Sequence, residues 1–118
     1  MQACKCGNQV GTRFWEMVCN EHGIGGDGEY SGVNDVQLGR INVLTTRPRT
    51  IRYLPRAVLF GIGPGLIGAA RVSPLCELFR PGNLVNQNAG AGSNWAIGQY
   101  TRAGHGFLIE APLVQRNL

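Results

Sequence analysis

Little acid, few charges and no long apolar run mark this sequence. Only 15% of its 118 residues are charged, and seven of them are Asp or Glu. No block of like charge forms an interaction tail. No apolar stretch approaches the ~18 residues that a membrane-spanning helix needs, so no membrane role is expected. The opening Met1-Gln2-Ala3-Cys4 lacks the basic start and apolar core of a secretory leader. With no leader visible, Cys4, Cys6, Cys19 and Cys76 read as free thiols in a reduced, cytoplasmic setting. Cys4-x-Cys6 is spaced more tightly than zinc thiolates usually are, and His22 and His105 stand far off, so no metal site is expected. No Ser/His/Asp or Cys/His arrangement stands out, and no catalytic residue is assigned.

What is present is glycine, 18 residues of it, within a chain that is 43% hydrophobic. The length allows one small domain, and the hydrophobic content is that of a globular protein. The net charge of +4 would permit an anionic partner, but only Arg47, Arg49, Arg52 and Arg56 cluster. Tyr53 is their one aromatic neighbour. A solvated face fits them better than the continuous basic stripe of a nucleic-acid binder, so no nucleic-acid partner is expected.

Periodicity predicts an amphipathic helix over Asn8–Asn20, with Val10, Phe14, Met17 and Val18 facing a core and Trp15 widening the stripe. Gly23–Asn34 reads as a loop, because glycines interrupt any repeat. Arg40–Thr46 and Ile51–Ile62 read as strands, Leu66–Val72 as a short helix, and Leu84-Val85 as a further strand. A last helix is expected over about Asn94–Ala103. Strands alternating with helices predict an α/β layer structure.

The segment with the most chemistry is Arg80–Thr101. Its small-residue turn Ala89-Gly90-Ala91-Gly92 runs into Ser93-Asn94-Trp95-Ala96. Glycine lets a backbone approach a ligand closely. Ser or Asn can then cap a helix whose free N–H groups suit an anion. Small-residue turns before helices are common, and most bind nothing.

The wording of this segment, RPGN, AGAG-x-NWA and G-x-YT in that order, resembles the tubulin family, and within it the β-tubulin chain. Cys6-Gly7-Asn8-Gln9-Val10-Gly11, Phe14-Trp15-Glu16 and Glu21-His22-Gly23 are similar to the family opening. Gln37-Leu38, Arg40-Ile41-Asn42-Val43 and Tyr53–Leu59 are similar to its middle. The likeness runs from about Gln2 to Thr101 and then fades. It implies that residues 1–105 are the N-terminal part of a tubulin/FtsZ-type GTPase domain and that 106–118 are a divergent tail. The implied fold is α/β, a partial Rossmann-like nucleotide-binding domain. Only Met1-Gln2-Ala3 precede the first loop, so the sheet is expected to lack its first strand, and the later strands as well.

The implied cofactor is GTP. Two segments would face its phosphates: Lys5, Cys6, Gly7 and Asn8, and then Gly90, Ala91, Gly92, Ser93 and Asn94. Lys5 stands where the family has Gln. The family loop VDLEPGT, whose carboxylates lie near magnesium, is replaced by Phe60-Gly61-Ile62-Gly63-Pro64-Gly65-Leu66. Glycine offers no side-chain oxygen to a hard cation, so the Mg2+ site is expected to be lost. The signature loop GGGTGSG does not occur in the sequence. The resemblance therefore implies a GTP-binding microtubule constituent of the cytoplasmic cytoskeleton, partnered by α-tubulin or other tubulin subunits, with impaired nucleotide binding. The alternative is an interaction module without nucleotide chemistry. Its apolar face at Phe14, Trp15 and Val18 would be bound by chaperones or tubulin partners.

Overall fold

A computed structural model describes residues 1–47, 51–63, 65, 68, 72, 73, 75, 77–86 and 90–102. The chain opens with a two-residue strand, β1 (Gln2–Ala3), and turns directly into the long helix α1 (Cys4–His22). The first strand expected to be missing is thus shortened rather than absent. Two residues suffice because Gln2 N–H donates to Val58 O at 2.8 Å and the pair runs in parallel register.

Helix α1 begins four residues earlier than its periodicity suggests and buries a different face. Asn8, Trp15, Val18 and Cys19 are buried. Val10, Phe14 and Met17 are 65%, 48% and 62% exposed, which corrects their assignment to the core. Apolar residues occur on two sides of this helix, so 3.6-residue periodicity alone leaves its phase open. Asn8, a polar residue that gives no core signal, lies with Trp15, Val18 and Cys19 on the side that packs.

Gly23 ends α1 in the left-handed conformation at φ +65°, its N–H donating to Cys19 O. A Cβ there would lie 2.9 Å from the Gly32 Cα, so side chains are excluded by conformation and by space alike. Gly23→Ala is expected to lower stability by about 1–3 kcal/mol. Urea denaturation followed by circular dichroism measures this, and an unchanged midpoint would show that the cap tolerates a side chain.

Helix α2 (Asp35–Ile41) follows the expected loop and is capped by Asn34, whose Oδ1 accepts from Val36 N–H at 3.0 Å. It takes Arg40 and Ile41 out of the strand predicted over Arg40–Thr46, leaving only β2 (Thr45–Thr46). The cap and Asp35 in the first turn start this helix, and Leu38 and Ile41 pack its inner face. The strand predicted over Ile51–Ile62 is likewise divided into β3 (Leu54–Pro55) and β4 (Leu59–Gly61). Pro55 has no N–H with which to extend the β2–β3 ladder. Arg56 then holds the bend, its N–H donating to Leu44 O and its Nε–H to Thr45 O.

Strand β5 (Leu84–Asn86) forms where expected, after a 3-10 turn at Pro81–Asn83. The sheet order is β1-β4-β5, and both pairings are parallel. Ala3, Phe60 and Val85 stand side by side, which makes β4 the central strand. Ile41, Val58, Leu59 and Leu78 are the largest fully buried side chains, and Trp15, Tyr53 and Phe79 pack around them. Helix α3 (Trp95–Ile97) continues into a wider π-helical stretch, Gly98–Arg102. Most of the predicted Leu66–Val72 helix, and all of the tail 106–118, lie outside the described residues.

Candidate functional site

Three parallel strands end on one edge, and each feeds a segment singled out in the sequence. β1 runs into Cys4–Asn8 and β4 into Gly61–Gly63, and Gly90–Asn94 follows β5 in the sequence. Open α/β sheets hold ligands at this carboxyl edge. Topology thus brings the segments that follow β1 and β4 to one edge of the sheet.

The first segment is an open helix N-terminus. Ala3 precedes α1 in extended conformation and gives it no side-chain cap. The first-turn N–H groups of Lys5 and Cys6 consequently meet no side-chain cap, and no acidic side chain occupies that turn. Lys5 and Cys6 are exposed and Gly7 is half-buried. An uncapped 19-residue helix start beside a lysine has the donors and the sign to hold a phosphate.

Asn8 differs from its neighbours. It is buried, and its Nδ2 donates to Cys4 O at 2.7 Å and to Phe60 O at 3.2 Å. Both of its amide hydrogens are thereby used inside the protein. Cys4 stands at φ +58°, a left-handed conformation that residues with a Cβ rarely adopt.

The second segment is built differently from the first. Gly92 and Ser93 are both left-handed, at φ +59°. Asn94, not Ser93, caps α3: its Oδ1 accepts from Ala96 N–H at 3.0 Å and Ile97 N–H at 3.3 Å. Asn94 N–H itself donates to Ala91 O. The donors of this helix start are therefore occupied, and Gly90, Gly92 and Ser93 are left exposed on the turn before it. Ser93 cannot cap from a left-handed backbone, because an N-cap residue is normally extended.

In the third segment, Gly61 is buried and pairs with Asn86, whereas Gly63 is half-buried just beyond the strand. Among the described residues, no three His, Cys, Asp or Glu side chains gather as a metal site. Phe60–Leu66 contains no carboxylate side chain.

The remaining chemical groups are engaged elsewhere. The Arg47 guanidinium lies 5.3 Å from the Tyr53 ring centroid, and Arg52 stands 3.8 Å from Glu77 with both side chains largely exposed. Cys4 and Cys6 are exposed free thiols, whereas Cys19 is buried and burial pushes its pKa up from 9.0 to about 11. Folded Cys19 thus stays protonated where the unfolded thiol ionises. Stability is expected to fall as pH rises from about 9 toward 11. Native alkylation at pH 8, read by peptide mass mapping, is expected to label Cys4 and Cys6 quickly and Cys19 only on unfolding. Equal rates for all three would contradict its burial.

Sequence reasoning missed an open groove of about 540 Å3 along the other side of β1, lined by Met1, Val10, Phe14, Val43 and Ala57. Its signal was present in the second apolar side of α1. The Gln2 side chain lies against Gly11 there, in the space that a Cβ would need.

A comparison with models of known protein families matches residues 1–109 to the Tubulin/FtsZ family, GTPase domain. The chain belongs to this family, and its parallel sheet with flanking helices is a partial form of that Rossmann-like GTPase fold. It is a tubulin-like member of a GTP-binding family. No helix among the described residues is long and apolar enough to cross a membrane.

Proposed function

We propose that this chain is a β-tubulin-like protein that holds the phosphate end of GTP weakly and with little help from magnesium. What supports this reading is the parallel order β1-β4-β5, which ends β1 before Cys4 and β4 at Gly61 on one edge of the sheet, together with the uncapped start of α1. Lys5 and Cys6 supply charge and backbone donors, and Gly7 adds no side chain beside them. Gly90, Ala91, Gly92 and Ser93 supply a turn that a phosphate can approach closely. Asn8 and Asn94 support these two segments from within, since their amides are committed to the protein's own backbone.

Gly61 and Gly63 stand where carboxylates would help hold a hydrated cation. Each such charge-assisted contact is worth about 1.5–3 kcal/mol, roughly tenfold to a hundredfold in affinity. The role proposed within the cytoplasmic cytoskeleton is association with α-tubulin or other tubulin subunits in microtubules. Competition against a fluorescent GTP analogue tests the nucleotide reading. Inorganic pyrophosphate is expected to displace the analogue and guanosine to fail. The reverse order would move recognition from the phosphates to the base.

A second reading rests on a different observation, the exposure of Val10, Phe14 and Met17 beside the groove. In that reading the chain is an interaction module bound by tubulin partners or chaperones, with no nucleotide chemistry. Trp15 and Val18, offered earlier as parts of such a face, are buried and leave it to Val10, Phe14 and Met17. Phe14→Ser is expected to weaken capture by purified tubulin severalfold if this face is used. Unchanged capture would remove the reading.

A further inference from the structure

We propose that Asn8 is a positioning residue: its carboxamide locks the first turn of α1 to the end of β4 and so sets the spacing of the phosphate-facing segment. The inference rests on the phosphate reading above, and it concerns a side chain that touches no ligand. Asn8 is 4% exposed, and its one amide nitrogen donates to two carbonyls from distant parts of the chain. One is Cys4 O, on the left-handed residue that opens the helix. The other is Phe60 O, one residue before Gly61, at the edge where the glycine loop begins.

The chemistry of the two acceptors fixes the amide orientation. Turning it over would set Oδ1 against two carbonyl oxygens, with no hydrogen to share. In the orientation that bonds, Oδ1 is buried without a donor. An apolar side chain would leave no such orphan, so packing alone does not account for an asparagine here. What only a donor of this shape achieves is to tie two backbone segments together through one nitrogen. Asparagine is also a poor helix former in mid-turn, because its side chain competes for backbone partners. That competition is put to use in this position.

Mechanically, the lock joins the turn that carries the N–H groups of Lys5 and Cys6 to the central strand. Without it, the first turn loses its tie to Phe60 O and is free to relax toward an ordinary helical backbone. The first-turn donors then point along a different direction relative to Gly61–Gly65, although the core below is unchanged.

Asn8→Ser separates the two bonds. A serine hydroxyl on a helix can reach the carbonyl four residues back, here Cys4 O, but is too short to reach Phe60 O as well. The control is Ile41→Val, which trims a fully buried side chain in α2, on an element apart from the three loops of the site. GTP affinity is measured calorimetrically and referred to the folded fraction of each variant. Asn8→Ser and Asn8→Ala are expected to bind about tenfold more weakly than the parent, with Ile41→Val within about twofold. Amide NMR provides the second readout, with Cys4 expected to leave its left-handed signature in both Asn8 variants and keep it in Ile41→Val.

Affinity and Cys4 signature both unchanged in the Asn8 variants would overturn the proposal, and so would losses that merely track stability across all three. If the parent binds no GTP, the phosphate reading fails by itself. The Cys4 signal then still decides whether Asn8 holds the turn.

Discussion

Leu59→Ala is expected to remove about 2–5 kcal/mol of stability, the cost of emptying a fully buried site in a core that cannot collapse around it. Leu59 is completely buried and sits in β4, with Gln2 on one side and Leu84 on the other. Its loss therefore weakens both pairings of the sheet as well as the packing of α1 beneath it. Domains of this size have about 5–15 kcal/mol in total, so the variant is expected to unfold partly in dilute buffer. Trp15 reports the change: it is buried in the same cluster, and its emission should shift to the red. A urea midpoint close to that of the parent would mean that β4 is not the centre of the structure.

The second large effect concerns the missing carboxylates. Gly63→Glu places an acid just past the end of β4, half-buried, on the edge shared with the phosphate-facing segments. In the presence of Mg2+ the variant is expected to gain roughly tenfold to a hundredfold in GTP affinity, the worth of one restored charge-assisted contact. In a chelator it is expected to gain nothing, or to lose slightly, because an added carboxylate repels phosphate when no cation stands between them. Titrations of both proteins in both buffers separate the two effects. A gain independent of Mg2+ would show that the side chain acts through the loop's conformation instead.

The pattern of failures in the sequence reading has physical causes. Gly23–Asn34, β5 and the helix after Asn94 were legible because caps, glycines and short apolar runs punctuate them. The face of α1 was legible only in part: Trp15 and Val18 are buried as expected, but Val10, Phe14 and Met17 form a second, exposed apolar stripe, and Asn8 and Cys19 complete the buried side. The strand over Ile51–Ile62 read as continuous because its apolar residues are continuous. Its division depends on Pro55 and on bonds from Arg56 to residues of β2 and the preceding turn. At the sheet edge, the neighbouring of the segments after β1 and β4 was decided by the parallel order β1-β4-β5, a non-local fact. That Asn94 rather than Ser93 takes the cap depended on two consecutive left-handed residues. The lock made by Asn8 joins positions 52 apart, and no local pattern announces it.

The most direct test of the central claim is one calorimetric titration of the intact chain with GTP, run with Mg2+ and again with a chelator. Weak binding that changes little between the two is the expected result, because backbone donors and Lys5 hold the phosphates while Gly61 and Gly63 hold no cation. Tight, saturable binding that collapses when Mg2+ is removed would contradict it.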